Sequence, residues 1–372
     1  MRRIKPYIYQ KEQWPQFNWD EKAVLEGLAH VRNLQGRVMG RMEAIGFDLR
    51  EEKTVLSLSE DVLKSSEIEG EYLHLDEVRS SVCRKLGVLN ANSVRSARHV
   101  DGFVEMMLDV TENHSKKLTK SRLFKWHKWL FPESKSGRFK ITVGNWRKDT
   151  TGPMQVVSDA LGKEKVHFEA PASELLEDEM KMFLDWFNAD QQLDDVLKSA
   201  VAHLWFLTIH PFEDGNGRIA RAISDLLLAR ADKNKQKFYS LSAQIRVERK
   251  GYYEVLEKSQ QGTLNITLWM KWFLTCLENA LLKTEDDFSK TMFKHNFWLM
   301  YSNVRFNKRQ QFMLNKLMTD FEGKLNTSKW AKMNKCSTDT ALRDIQELLR
   351  LKILFKEKEG GRSTNYTLVK KI

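Results

Sequence analysis

The densest concentration of chemically capable side chains is the run His210-Pro211-Phe212-Glu213-Asp214-Gly215-Asn216-Gly217-Arg218-Ile219-Ala220-Arg221, set between two strongly apolar helical patterns. It reads as a loop that opens a helix near Arg218. A Gly-Asn-Gly turn lets successive backbone N–H groups point into one concavity, and a helix N-terminus adds partial positive charge, so together they favour phosphate. Glycine suits the turn because a Cβ would block close approach to the backbone. Asp214 is a hard carboxylate beside that anion site, suited to hold Mg2+ that bridges phosphate oxygens. Arg218 and Arg221, three apart on the first turn, share a face and can neutralise phosphate charge. His210 precedes the turn, where it can reach a hydroxyl lined up against a bound phosphorus. A near-neutral pKa would suit it to proton abstraction.

At every specified position the run fits H-P-F-x-D-G-N-G-R-x-x-R and so resembles the signature of the Fic family, the likeness extending from about residue 100 to 290. The resemblance implies a helical core with a β-hairpin flap that clamps a target segment beside the site. It implies transfer of AMP from ATP onto a Ser, Thr or Tyr hydroxyl of a protein target or of the chain itself. It implies His210 as catalytic base, Asp214 as Mg2+ ligand, and Gly215, Asn216 and Gly217 as the phosphate nest. Arg218, Ile219 and Ala220 continue the ATP-binding run, and Arg221 would meet the terminal phosphates. Lys165-Val166-His167-Phe168 matches the flap. Tyr252 and Gln260 stand where relatives border the nucleoside, Gln260 at a position that is often asparagine. Transfer of another nucleotide group, such as UMP, or removal of AMP by the same site are alternatives.

Upstream, Ser65-Ser66-Glu67-Ile68-Glu69-Gly70 is similar to the Fic inhibitory motif, Ser or Thr, three residues, Glu, then Gly or Asn. Ser65 and Glu69 lie one helical turn apart, and Gly70 can end the helix. A Glu69–Arg221 pair would occupy the arginine that the γ-phosphate needs, leaving ATP bound with its α-phosphate misaligned. The bland reading of Glu69 is a solvated carboxylate beside Glu67 and Glu71. His203, seven before His210, has no companion carboxylate at metal spacing and reads as core packing.

The elements that must position these groups are mostly helical. The segments 23–47, 55–70 and 93–110 place apolar residues three and four apart, as amphipathic helices do, with Gly46 and Gly70 where helices would end. Between 137 and 171, β-branched runs and turn residues read as a hairpin. Helices resume from Ala172, and 196–210 ends at Pro211 because proline disfavours helical geometry before it. Met180, Met182, Phe183, Trp186 and Phe187 read as a core-facing stripe, as do Trp269, Met270, Trp272 and Phe273. The last segment reads as helix, short helix, longer helix, hairpin. Thr327 or Ser328 can cap the second and Ser337 the third, with Gly360 and Gly361 at the turn. That order resembles a winged helix-turn-helix, with 337–350 as recognition helix and Lys356 to Arg362 as wing.

The expected fold is therefore mainly α: an N-terminal helical extension over 1–98, a Fic-type core with a β-hairpin flap over 99–290, and a winged helix-turn-helix over 295–372. Composition agrees with a globular chain, at 41% hydrophobic and 30% charged residues, and excludes collagenous or wholly disordered classes. Cys83, Cys276 and Cys336 are odd in number and far apart, which argues against a disulfide framework or zinc site and for buried thiols. No apolar stretch follows the first arginines and none is long enough to span a bilayer, so a cytoplasmic protein with no membrane contact is expected. Of the net charge of +11, residues 301–372 hold sixteen Lys and Arg against seven Asp and Glu, a surplus of nine. That asymmetry suggests a polyanion or a docking protein as partner of the C-terminal part. A DNA-binding regulator whose Fic core senses nucleotide is the competing class, and a homodimer is left open.

Overall fold

The computed structural model describes residues 6–88, 94–137, 139–150, 152–160, 163–190, 192–319, 321–357 and 364–369. The chain divides into two units, Met1–Thr284 and Glu285–Ile372. The first holds the segment expected as N-terminal extension and the expected core as far as Thr284.

In that first unit α1 (Glu21–Ala44) begins where the Asp20 carboxylate accepts the Ala23 amide at 3.1 Å. It is followed by α2 (Phe47–Ile68), α3 (Leu75–Leu86), α4 (Arg98–Glu112) and α5 (Lys120–Leu130). Gly46 precedes α2 with an ordinary φ of −61°, whereas Gly70 takes φ +84° just beyond it, the left-handed conformation that stops a helix. Two hairpins then replace the single one expected. The small one pairs β1 (Lys135–Ser136) with β2 (Phe139–Lys140), and the larger pairs β3 (Gln155–Ala160) with β4 (Lys163–Glu169), antiparallel in both. A bulge between Val156 and Val157 sets Val157 opposite Val166.

The helices α6 (Leu176–Asn188), α7 (Asp195–Ile209), α8 (Asn216–Asp232), α9 (Leu241–Val247), α10 (Arg249–Gln260) and α11 (Thr267–Met300) complete the order. α7 is buried from Val196 to Ile209, as a helix that is apolar all round must be. It packs on α8, which also touches α1, α2, α4, α5 and α9. On α6, Met180, Phe183 and Phe187 are buried, but Met182 is 41% exposed, because residues one position off the stripe rotate away from the core. Cys83 and Cys276 are buried free thiols and Cys336 is half-buried.

The second unit has the expected order: α12 (Lys308–Met318), α13 (Thr327–Asn334), α14 (Thr338–Arg350), then β5 (Leu354–Lys356) paired with β6 (Tyr366–Leu368). Its core gathers Met313, Leu314, Trp330, Ile345, Leu348 and Ile353. The cap of α13 is Asn326, whose Oδ1 accepts the Lys329 amide at 2.8 Å, rather than Thr327 or Ser328, which lie inside the helix. Ser337 caps α14 as expected. The wing tip, with Gly360 and Gly361, lies outside the described residues.

Candidate active site

The site is built where α7 ends and α8 begins. His210 terminates α7 in a left-handed conformation, φ +51°. Pro211 and Phe212 carry the chain across, and Gly215 at φ +84° starts α8, so the helix opens at Asn216, two residues earlier than the sequence suggests. A Cβ on Gly215 would fall 2.8 Å from Phe131 Cε2, so only glycine fits both the backbone and the neighbour. Asn216 ties the loop closed: its Oδ1 accepts the Phe212 amide at 3.0 Å and its Nδ2 donates to the Phe212 carbonyl at 2.7 Å. Phe212 is fully buried, contributing roughly 1.5–3 kcal/mol of loop anchoring.

The first turn of α8 faces an anion. The amides of Asn216, Gly217 and Arg218 precede the first helical bond, from Ile219 N to Gly215 O at 3.0 Å, so the positive end of the helix is presented there. The Glu69 side chain occupies this place. A Cβ on Gly217 would lie 2.9 Å from Glu69 Cδ and 3.2 Å from Arg221 Nη1. Arg221, 2% exposed, donates from Nη2 to Glu69 Oε1 at 2.8 Å and to the Ser65 carbonyl at 2.9 Å, and from Nε to Ser65 Oγ at 2.7 Å. Ser65, Glu69 and Arg221 thus meet, and Gly70 closes the helix that carries the first two. Arg218 turns elsewhere: Nη1 donates to Glu71 at 2.7 Å, and its guanidinium lies 4.9 Å over the Phe131 ring. Ile219 and Ala220 are fully buried, leaving only their backbone for a ligand.

His210 lies partly exposed at the rim. Its Nδ1 donates to the Leu207 carbonyl at 3.3 Å, which leaves Nε2 as the unprotonated nitrogen. Burial pushes this imidazole down to about 4, helped by Arg147 and opposed by the Leu207 bond, Glu69 and Asp214. This lies below the near-neutral value expected from the sequence and favours the unprotonated, proton-accepting ring. Asp214 accepts the Gly215 amide at 2.5 Å and the Ser136 hydroxyl from the small hairpin, with Arg218 Nη2 at 3.8 Å.

The flap residues lie on β4. Lys165 and His167 both reach Glu257 of α10, at 3.3 and 2.7 Å, Val166 is 42% exposed, and Phe168 is buried with its ring 5.0 Å from that of Tyr7. Tyr252 and Gln260 are buried. The Tyr252 hydroxyl pairs with His203 Nε2 at 2.9 Å, and Gln260 Nε2 donates to the Leu207 carbonyl at 3.3 Å. His203 also meets Ser224 Oγ at 2.9 Å, the packing role expected of it.

Three supports carry no sequence signal. His127 of α5 stacks on Phe212 at 4.1 Å, accepts the Gly144 amide on Nδ1 at 3.1 Å, and donates from Nε2 to the Asp214 carbonyl at 3.1 Å. Burial holds it down to about 4, so it stays neutral. Arg147, 3% exposed, donates to the His210 carbonyl at 2.8 Å and pairs with Asp149. Ser136 meets Asp214 only through folding of a two-residue strand. Glu71, two residues past the inhibitory-type glutamate, was visible in the sequence only as part of an acidic cluster.

Among the described residues no group of three or more His, Cys, Asp or Glu is gathered to hold a metal, and no helix is long and apolar enough to cross a membrane. A lone carboxylate still fits Mg2+, which commonly takes one or two carboxylates and completes its shell with phosphate oxygens and water.

A helical unit with a histidine at the mouth of a helix N-terminus defines the architecture, and part of it is similar to known proteins. Residues 117–228 match the Fic/DOC family, and residues 7–88 match a domain of unknown function, DUF4172. The protein adenylyltransferase Fic of Culex quinquefasciatus is 33% identical over 104 residues, 27% of this chain and 19% of that protein. The protein adenylyltransferase fic-1 of Caenorhabditis elegans is 26% identical over 166 residues, 44% and 30% respectively. The chain spans less than half the length of the curated relatives it matches. In solved structures, a Fic family protein from Desulfovibrio desulfuricans G20 aligns at TM-score 0.50 and 16% identity, over 94% of this chain and 96% of that one. A Fic domain containing signaling protein from Bacteroides thetaiotaomicron aligns at TM-score 0.51 and 19% identity, over 68% and 96%. These likenesses establish a shared fold.

Proposed function

We propose that the chain transfers AMP from ATP onto a hydroxyl of a protein, itself included, and is held in an inhibited state by Glu69. The observation that carries this reading is the Glu69 carboxylate seated at the first turn of α8 against Gly217 and Arg221, an anion already held where a phosphate would lie. In the reaction, the amides of Asn216 to Arg218 and the Arg221 guanidinium bind the phosphates once Glu69 has left. His210 Nε2 accepts the proton of the attacking hydroxyl, the hydroxyl oxygen bonds to the α-phosphorus, and the bond to the β-phosphate bridging oxygen breaks, releasing pyrophosphate. Asp214 would hold Mg2+, which supplies charge neutralisation at the phosphates. Lys165 to Phe168, on β4, would line the target segment, and Tyr252 and Gln260 would back the nucleoside. The sharing of a family with proteins named adenylyltransferases supports the choice of AMP over another nucleotide group.

Labelling with ATP carrying a radioactive α-phosphate tests this. Wild type, Glu69→Gly and His210→Ala should label weakly, strongly and not at all. Absence of label in the first two, with binding of another nucleotide, would overturn the reading.

For the second unit we propose a docking role for an acidic partner, supported by the charge surplus of residues 301–372. The exposed residues of α14 mix Asp339 and Glu347 with Arg343 and Arg350, which fits a protein surface better than the edge of a DNA groove. Duplex affinity that falls steeply with salt, at a slope set by the phosphates neutralised, would favour DNA instead.

A further inference from the structure

Below the inhibitory contact lies a second group of charges that the reaction does not use. Lys237, on the connection between α8 and α9, places Nζ 2.7 Å from Asp61 Oδ2 and 2.6 Å from Asp225 Oδ1. Ser240 Oγ donates to the other Asp61 oxygen at 2.5 Å. Asp61 is 0%, Asp225 1% and Lys237 6% exposed, so two carboxylates and one ammonium are sealed from water. Burial raises Asp61 to about 7 and also raises Asp225, both eased by Lys237. Burial alone would lower Lys237, but the two carboxylates outweigh it and hold it charged.

The placement matters more than the charge count. Asp61, Ser65 and Glu69 are four residues apart in succession, one stripe of α2 continued to its C-cap. Arg221 and Asp225 are four apart on α8. The two helices are therefore joined by consecutive rungs: Asp61 through Lys237 to Asp225, and Ser65 with Glu69 to Arg221. A one-turn slide of α2 would bring Ser65 opposite Lys237 and strand the buried Asp61 carboxylate without its ammonium, so the lower rung disfavours that register. Buried ion pairs add little net stability but strongly disfavour arrangements that break them.

We propose that the Asp61–Lys237–Asp225 triad is the fastening that holds the inhibitory helix in the register at which Glu69 meets Arg221, and so sets basal activity. The proposal rests on the reading of Glu69 as inhibitor, and names the residues through which that inhibition is kept. Asp61, Lys237 and Asp225 are positioning residues: none touches the site.

Asp61→Asn tests it with the least disturbance, since it keeps shape and leaves Lys237 and Asp225 balanced one to one. Hydrogen exchange is read in the full chain over α2 and, separately, over α7 and α8. Exchange over 60–69 should rise about tenfold, near the low end of a typical coupling between sites, while α7 and α8 hold their wild-type rates. Nucleotide labelling should rise toward that of Glu69→Gly, and Asp61→Asn/Glu69→Gly should label no faster than Glu69→Gly. Lys237→Met, which leaves two carboxylates facing each other, should act in the same direction and more strongly where it folds. Wild-type exchange over α2 in Asp61→Asn would overturn the proposal, as would a uniform rise across the first unit, the mark of a merely structural role. Should Glu69→Gly itself fail to label, the proposed chemistry fails, but the exchange measurement still decides whether the triad holds the helix.

Discussion

Ser65→Ala isolates the restraint on Arg221 from the charge that opposes it. In the wild type the guanidinium donates to Ser65 Oγ, the Ser65 carbonyl and Glu69, all between 2.7 and 2.9 Å, while its Nη1 finds no partner among the described residues. Arg221 is 2% exposed, so water cannot replace a lost acceptor. Removing Oγ leaves Nε buried without one. A hydrogen bond from a charged donor contributes about 1.5–3 kcal/mol, and each 1.4 kcal/mol is tenfold in a population, so the inhibited arrangement should weaken by about 10- to 150-fold. The phosphate-bound arrangement, in which Arg221 turns to the anion, is spared that loss. Initial rates of labelling with radioactive ATP should therefore rise at least about tenfold in Ser65→Ala, with the Glu69→Gly rate as ceiling. The double variant should match Glu69→Gly. A Ser65→Ala rate equal to wild type, alongside a fast Glu69→Gly, would refute the idea that Ser65 restrains this arginine.

Other outcomes follow from the same geometry. His210 titrates at about 4 in the folded chain against 6.5 ordinarily, a depressed value, so the acid limb of kcat/KM in a Glu69→Gly background should fall near pH 4. By the same sign the unfolded chain takes up a proton below 6.5 that the folded chain refuses until about 4; His210 and His127 therefore add stability above that range that is lost as pH falls from 6.5 toward 4, measurable as a declining urea midpoint. Gly215→Ala imposes both φ +84° and a 2.8 Å approach to Phe131, and should lower stability by roughly 1–3 kcal/mol, seen in the melting temperature. His127→Phe keeps a ring on Phe212 but loses the bonds to Asp214 and Gly144; it should raise KM for magnesium ATP about tenfold or more while the fold persists, whereas chelation of Mg2+ should abolish labelling in every variant.

What the sequence disclosed and what it withheld divide along a physical line. The loop from His210 to Arg221 was legible because every constraint on it is local: a turn needing glycine, a helix N-terminus, a histidine held at the end of an apolar helix. The meeting of Ser65 and Glu69 with Arg221 was legible only through resemblance, since 152 positions separate Glu69 from its partner. His127, Ser136 and Arg147 were not legible at all. Each works through backbone atoms or a partner brought near by packing, and a backbone carbonyl leaves no mark on side-chain type.

The Asp61–Lys237–Asp225 triad shows the same limit from the other side. An aspartate on an amphipathic helix and a lysine in a polar connection, between Asn234 and Ser240, read as ordinary solvated residues by spacing alone. Their burial becomes visible only when α2 is laid on α8 and α9, because then Asp61 and Ser65 face the core instead of water, while Glu69 at the C-cap stays exposed. An apolar stripe there would pack as well and would tolerate sliding; a stripe of hydrogen-bonded charges does not. The placement of polar residues on the packed face of α2 is therefore better explained by a demand for one register than by stability, and one register is what a glutamate needs if it is to sit on the mouth of α8 and leave it on demand.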